Sequence, residues 1–130
     1  LFARDTKRGG YLAEEFGVGL KHLPAKSDDS PSRFEGFDIL VNCTPLGMHG
    51  AFVNETPACA DEMKNVKLIY DLVYNPARTR LVEEAEKAGA SVIQGLEMLV
   101  AQGARQFQIW TGSDAPIDIM RAAARRKLEP

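Results

Sequence analysis

Apolar positions recur along the chain at two alternating spacings, one helical and one of short continuous runs. Between residues 7 and 16, Leu12, Ala13 and Phe16 fall at helical intervals and Gly17 comes next, which predicts a helix closed by a glycine cap. Leu1-Phe2-Ala3 reads as the tail of a strand, and Gly19 to Leu23 as a short strand ended by Pro24. Residues 24–36, with Ser27-Asp28-Asp29-Ser30-Pro31, read as a polar loop. Phe37 to Asn42 is too short and too apolar for anything but a buried strand, whereas 44–50 hold Pro45, Gly47 and Gly50 and are loop. A helical turn is expected near 57–64, then a buried strand from Val66 to Val73, stopped by Asn75-Pro76. A helix comes next at 77–88, with Leu81, Ala85 and Ala88 on one face and Gly89 as its cap. Ser91 to Ile93 is a short strand, 96–111 a long helix, and Pro116 opens a last helix to about Lys127.

Strands alternating with helices, several of them continuously apolar, argue for a parallel sheet covered on both faces, that is, a doubly wound α/β fold. Composition narrows this little. At 45% hydrophobic and 26% charged, the 130 residues suit one ordinary globular domain. Sixteen basic against eighteen acidic side chains leave a net charge of −2, too little to hold nucleic acid or an anionic membrane. The apolar runs are far too short for a membrane span, and no secretory signal pattern opens the chain. Cys43 and Cys59 match no zinc-ligand spacing; they are read as structural thiols of a reducing, cytoplasmic compartment, and no metal site is expected.

A nucleotide-binding sheet normally carries a glycine-rich turn after its first strand, where helix N-terminal amides receive the pyrophosphate. Gly17-Val18-Gly19 is the sole approach to it, and its helix-to-strand context makes it a plain helix cap. A start at Leu1 in mid-strand favours a nucleotide fold that lacks its first strand.

Four segments carry a resemblance. Tyr70-Asp71-Leu72-Val73-Tyr74-Asn75-Pro76 with Thr79 resembles the D-x-x-Y-x-P-x-x-T signature of the shikimate dehydrogenases. Gly95-Leu96-Glu97-Met98-Leu99-Val100-Ala101-Gln102 is similar to that family's G-L-x-M-L-V-x-Q helix start, and Gln106-Phe107 with Trp110-Thr111-Gly112 to its continuation. Val41 to Met48 resembles its I-N-x-T-x-x-G-M segment. The resemblance spans all 130 residues but only the back half of such an enzyme. It implies a partial, Rossmann-like NADP-binding domain over 1–130, whose C-terminal helices (96–128) pack toward a substrate domain carrying the catalytic lysine and aspartate. No catalytic residue falls within the 130 residues, which alone are expected to be inactive. The implied reaction is NADPH-dependent reduction of 3-dehydroshikimate to shikimate in aromatic amino-acid biosynthesis, in a cytoplasmic enzyme whose intact form could be a homodimer. An NAD-using quinate/shikimate dehydrogenase, a module of a multifunctional enzyme, and a ligand sensor of the same fold stay open.

The candidate site residues come from the same match. Arg4 and Arg8 lie where the adenosine ribose is read and would accept the 2′-phosphate of NADP; Asp5 would either favour NAD or cap the helix after it. Thr44, at the carboxyl end of a strand, would shape the cofactor pocket with Leu72 and Gly95, the latter letting backbone approach a flat ring. Tyr74 and Gln102 would reach the hydroxylated substrate. Gln102 shares a helical stripe with Met98 and Leu99, which would turn its amide from solvent. Either of the two could instead be structural, Tyr74 packing on its loop and Gln102 bonding to backbone. His49 reads as an ordinary loop residue, Cys43 as core, and Arg121, Arg125, Arg126 and Lys127 as a solvated face favoured by the helix dipole.

Overall fold

The structure, a computed structural model, describes residues 1–23 and 33–128. Most of the polar loop expected over 24–36 therefore lies outside the described residues. Two compact units divide the chain, Leu1–Ser30 and Pro31–Pro130.

The first unit is a β-α-β crossover: β1 (Phe2–Ala3), α1 (Thr6–Phe16) and β2 (Lys21–His22), with β1 and β2 parallel and Phe2 opposite Lys21. Asp5 starts the helix. Its backbone is extended and its side chain accepts a hydrogen bond from the Arg8 N–H at 3.0 Å, satisfying one of the free amides of the first turn. Gly17 ends it in the left-handed conformation, φ 61°, as the sequence predicts. The face that packs differs from expectation: Gly9 and Ala13 are buried, while Leu12 and Phe16 are exposed. A side chain at Gly9 would meet the Ala3 Cβ at 2.8 Å, so the helix lies against β1 along a line of small residues rather than bulky ones.

The second unit holds a three-stranded parallel sheet in the order β3 (Ile39–Asn42), β4 (Leu68–Asp71), β5 (Ser91–Ile93). Asn42 stands opposite Asp71, and Ile69 opposite both Leu40 and Val92. Helix α2 (Arg80–Lys87) packs on β4 and β5, burying Leu81, Val82 and Ala85 over Ile69 and Met63. It begins three residues later than predicted because the Thr79 side chain is its cap, accepting from the Val82 N–H at 3.3 Å. The Ala60–Met63 turn is a 3-10 helix pinned to α2: the Glu84 carboxylate accepts from the Ala60 N–H at 3.0 Å. The hydrogen bond from Lys87 in particular holds the Glu84 carboxyl below its ordinary range, against an opposing push from burial. Beneath the turn, Glu62 accepts from the Cys59 N–H and pairs with Arg33 at 2.8 Å.

The parallel α/β architecture is the one expected from the sequence, with one departure in burial. The alternate face of these strands carries Ile39, Val41 and Ile93, all exposed, and β3 alternates rather than being buried throughout. Helices α3 (Gly95–Thr111) and α4 (Ile117–Leu128) form a hairpin. An open apolar groove of about 350 Å³ lies between Leu99, Val100 and Gly103 on one and Met120, Ala123 and Ala124 on the other. Arg121 ties the pair together through Glu97 at 3.3 Å. Among the described residues, no helix is long and apolar enough to cross a membrane.

Candidate functional site

Beyond the carboxyl ends of β3 and β4 the chain leaves the sheet in two loops, and a cleft of about 530 Å³ opens between them. Parallel sheets present ligands at this end, and the volume lies within the range of small-molecule sites. One wall is Cys43, Thr44 and Pro45 with Met48 and His49; the other runs from Leu72 to Asn75. Three of the sequence-predicted residues, Thr44, Leu72 and Tyr74, therefore meet in one place. Tyr74 is 41% exposed, its phenol free to face a ligand. Cys43, expected in the core, is instead exposed on this wall.

The walls rest on a buried polar cluster. Asn42 donates from Nδ2 to Asp71 Oδ1 at 2.9 Å and to the Leu46 carbonyl at 3.3 Å. Its Oδ1 accepts from the Thr44 N–H at 3.0 Å and the Thr44 hydroxyl at 2.7 Å. Asp71 Oδ1 also accepts from the Val73 N–H at 3.1 Å, and Oδ2 accepts from the Thr79 hydroxyl. Higher up, the His49 N–H donates to the Asn75 carbonyl at 2.8 Å, a direct strut between the loops. Gly47, at φ 91°, lets the first loop turn where a side chain would press on Thr79 at 3.2 Å.

Gly95 backs the second wall. A side chain there would collide with the carbonyls of Leu72 and Val73, so its immediate role is close packing of α3 on the cleft loop. Arg4, Asp5 and Arg8 lie together where β1 passes into α1, in the first unit, Asp5 and Arg8 exposed. Asp5 is engaged by the helix cap; neither guanidinium pairs with a carboxylate among the described residues. Gln102 departs from expectation: its residue is exposed, and the buried stripe of α3 runs through Leu96, Val100 and Ala104 instead. Asn42, Asp71 and Thr79 were missed as site residues. The signal was present, since Asp71 and Thr79 are both inside the D-x-x-Y-x-P-x-x-T segment and each interrupts an otherwise apolar or turn-forming stretch.

A parallel sheet with a cleft beyond its carboxyl edge, where such sheets commonly receive ligands, defines an α/β domain of Rossmann-like type. Comparison with known proteins is more specific. Residues 95–125 match the Shikimate 5'-dehydrogenase C-terminal domain. The chain is 43% identical over 129 residues to shikimate dehydrogenase (NADP(+)) of Methanopyrus kandleri, covering 96% of this chain and 44% of the relative. To the protein of the same name from Archaeoglobus fulgidus it is 50% identical over 91 residues, 70% of this chain and 34% of the relative. It superimposes on the Thermus thermophilus shikimate 5-dehydrogenase crystallised with NADP(H) and shikimate with a TM-score of 0.78. There the identity is 35%, over 96% of this chain and 44% of that one. The chain is thus related to the shikimate dehydrogenases and matches their C-terminal portion. It spans less than half the length of the relatives it matches.

Proposed function

We propose that the chain is the dinucleotide-binding part of an NADP-dependent shikimate dehydrogenase. The observation that carries the reading is the cleft beyond β3 and β4, walled by the two loops that carry the family motifs. Its walls suit a nicotinamide: Met48, Leu72 and Val73 offer apolar surface to a flat ring, Thr44, tied to Asn42, shapes the opposite wall, and the loop backbone offers polar groups to fix the ring's orientation. When bound, that cofactor exchanges a hydride with the substrate. The chain's own work is positioning: Thr44 and Leu72 hold the ring, Gly95 lets α3 close on the loop behind it, and Tyr74 and Gln102 turn their polar ends to shikimate or 3-dehydroshikimate. Proton-handling groups belong to the substrate domain. The enzyme is cytoplasmic on this reading, and its assembly as a homodimer is part of the same proposal.

Arg4 and Arg8 would hold the 2′-phosphate that separates NADP from NAD, with Asp5 engaged by the helix. In the full-length protein, Arg4→Ala should weaken NADPH by roughly 10–150-fold, the equivalent of about 1.5–3 kcal/mol for a charge-assisted hydrogen bond. NADH binding should hardly change. Fluorescence titration of both dinucleotides decides it, and equal weakening of the two would remove Arg4 from the phosphate site.

A further inference from the structure

Two carboxylates are buried among the described residues, Glu62 and Asp71. Glu62 has a cation, Arg33, at 2.8 Å. Asp71 has none. It is wholly inaccessible, and its partners are an amide, a backbone N–H and a hydroxyl, all neutral donors. Burying a carboxylate without a counter-charge is unfavourable unless several donors converge on it, and here they do. Each donor belongs to a different piece of the site. Asn42 is the anchor of the first cleft loop, Val73 belongs to the second, and Thr79 caps the helix behind them.

We infer that Asp71 is a positioning residue for the nicotinamide end of the cofactor: its carboxylate sets the spacing of the two cleft walls. The inference rests on the proposed dinucleotide-binding function. Two features single out a carboxylate. Oδ1 accepts two bonds and Oδ2 accepts a third, so both oxygens of Asp71 face donors. An asparagine in the same place keeps all three contacts only by turning its N–H to the Thr79 oxygen, which reverses that bond, and it exchanges charge-assisted bonds to both cleft walls for weaker neutral ones. None of the bonds made by Asp71 reaches Arg4 or Arg8, so the damage should be confined to one end of a dinucleotide.

The test uses the full-length protein, with Asp71→Asn and two changes at Thr79, each checked by thermal melting. Two ligands are titrated: NADPH, and adenosine 2′,5′-bisphosphate, which has the adenosine and its 2′-phosphate but no nicotinamide. For Asp71→Asn we expect NADPH to weaken about tenfold, the scale of one lost buried hydrogen bond. Adenosine 2′,5′-bisphosphate should stay within about twofold. Should Asp71→Asn fail to fold, Thr79→Val carries the same test by removing the hydroxyl that donates to Asp71, together with the cap it gives α2, and Thr79→Ser, which returns the hydroxyl, should restore parental binding. Parallel loss of both ligands would show that Asp71 merely holds the fold and overturn the inference, as would unchanged NADPH binding. A parent that binds adenosine 2′,5′-bisphosphate and NADPH alongside an indifferent Asp71→Asn fails this inference alone; a parent that binds neither fails the functional reading and the inference with it.

Discussion

The cleft floor and the α3–α4 hairpin belong to the same unit and solve opposite problems. At the floor, polar groups are buried and every one has a partner: Asn42, Asp71 and Thr79 are at most 3% exposed and bonded to one another or to backbone. The hairpin is the reverse. Helix α4 buries no residue, and Ile109, Trp110 and Ile119 stand 65–79% exposed. Burial of polar groups without partners is what destabilises a fold, whereas exposed apolar surface costs the fold little and only invites contact. The floor is therefore complete in itself, and its loops are held whether or not a ligand is present. The two helices of the hairpin are joined by the Arg121–Glu97 bridge across a groove that stays open between them.

That contrast is sharpest at Gly95, where the hairpin meets the floor. Gly95→Ala forces a methyl into the carbonyls of Leu72 and Val73, and backbone cannot give way as a side chain can. A loss of about 3 kcal/mol is expected by urea unfolding, at the upper end of overpacking effects. A loss below about 1 kcal/mol would mean that α3 can slide and that the floor is less rigid than its bonding implies.

A smaller effect is expected at Glu84, which secures the 3-10 turn to α2. Its folded carboxyl is held below the ordinary 4.5, so its stabilising contribution is present above that value and lost as pH falls through the depressed one. Replacing it as Glu84→Gln should cost about 1 kcal/mol at neutral pH, the scale of an ordinary hydrogen bond. The gap between parent and variant should narrow as pH falls below 4.5. A gap independent of pH would assign the effect to packing. Smallest of all, Ile119→Ser should change stability by less than about 0.5 kcal/mol, as exposed positions do. A larger loss would show that the hairpin's outer face is already engaged.

How much of this could be read from the chain depends on the range of the interaction responsible. The caps are local, and so Gly17 and Gly95–Thr111 were legible almost to the residue. The start of α2 was not, because Asn75-Pro76-Ala77-Arg78 satisfies helix-start statistics while the real cap, Thr79, is chosen by the buried carboxylate eight residues earlier. The face of β3 was misread for a related reason. Phe37-Asp38-Ile39-Leu40-Val41-Asn42 looks mostly apolar until α2 selects one side of the sheet, leaving Ile39 and Val41 on the other. At the site, Thr44, Leu72 and Tyr74 were found through motifs that sit on consecutive residues. The Asn42–Asp71 pair joins residues 29 apart and exists only by strand register, which a single sequence does not state.

At Thr79 a single hydroxyl serves two structures at once. Its oxygen accepts from the Val82 N–H and its proton goes to Asp71, so helix initiation and cleft geometry draw on the same group. The inventory of side chains that accept and donate from an atom at that distance from the backbone is short: serine and threonine. The Cβ of Thr79, meanwhile, would stand 3.2 Å from a side chain at position 47, where the backbone also takes φ 91°. A change at 79 that keeps both roles is thus limited to serine, and any other residue there disturbs helix start and cleft geometry together.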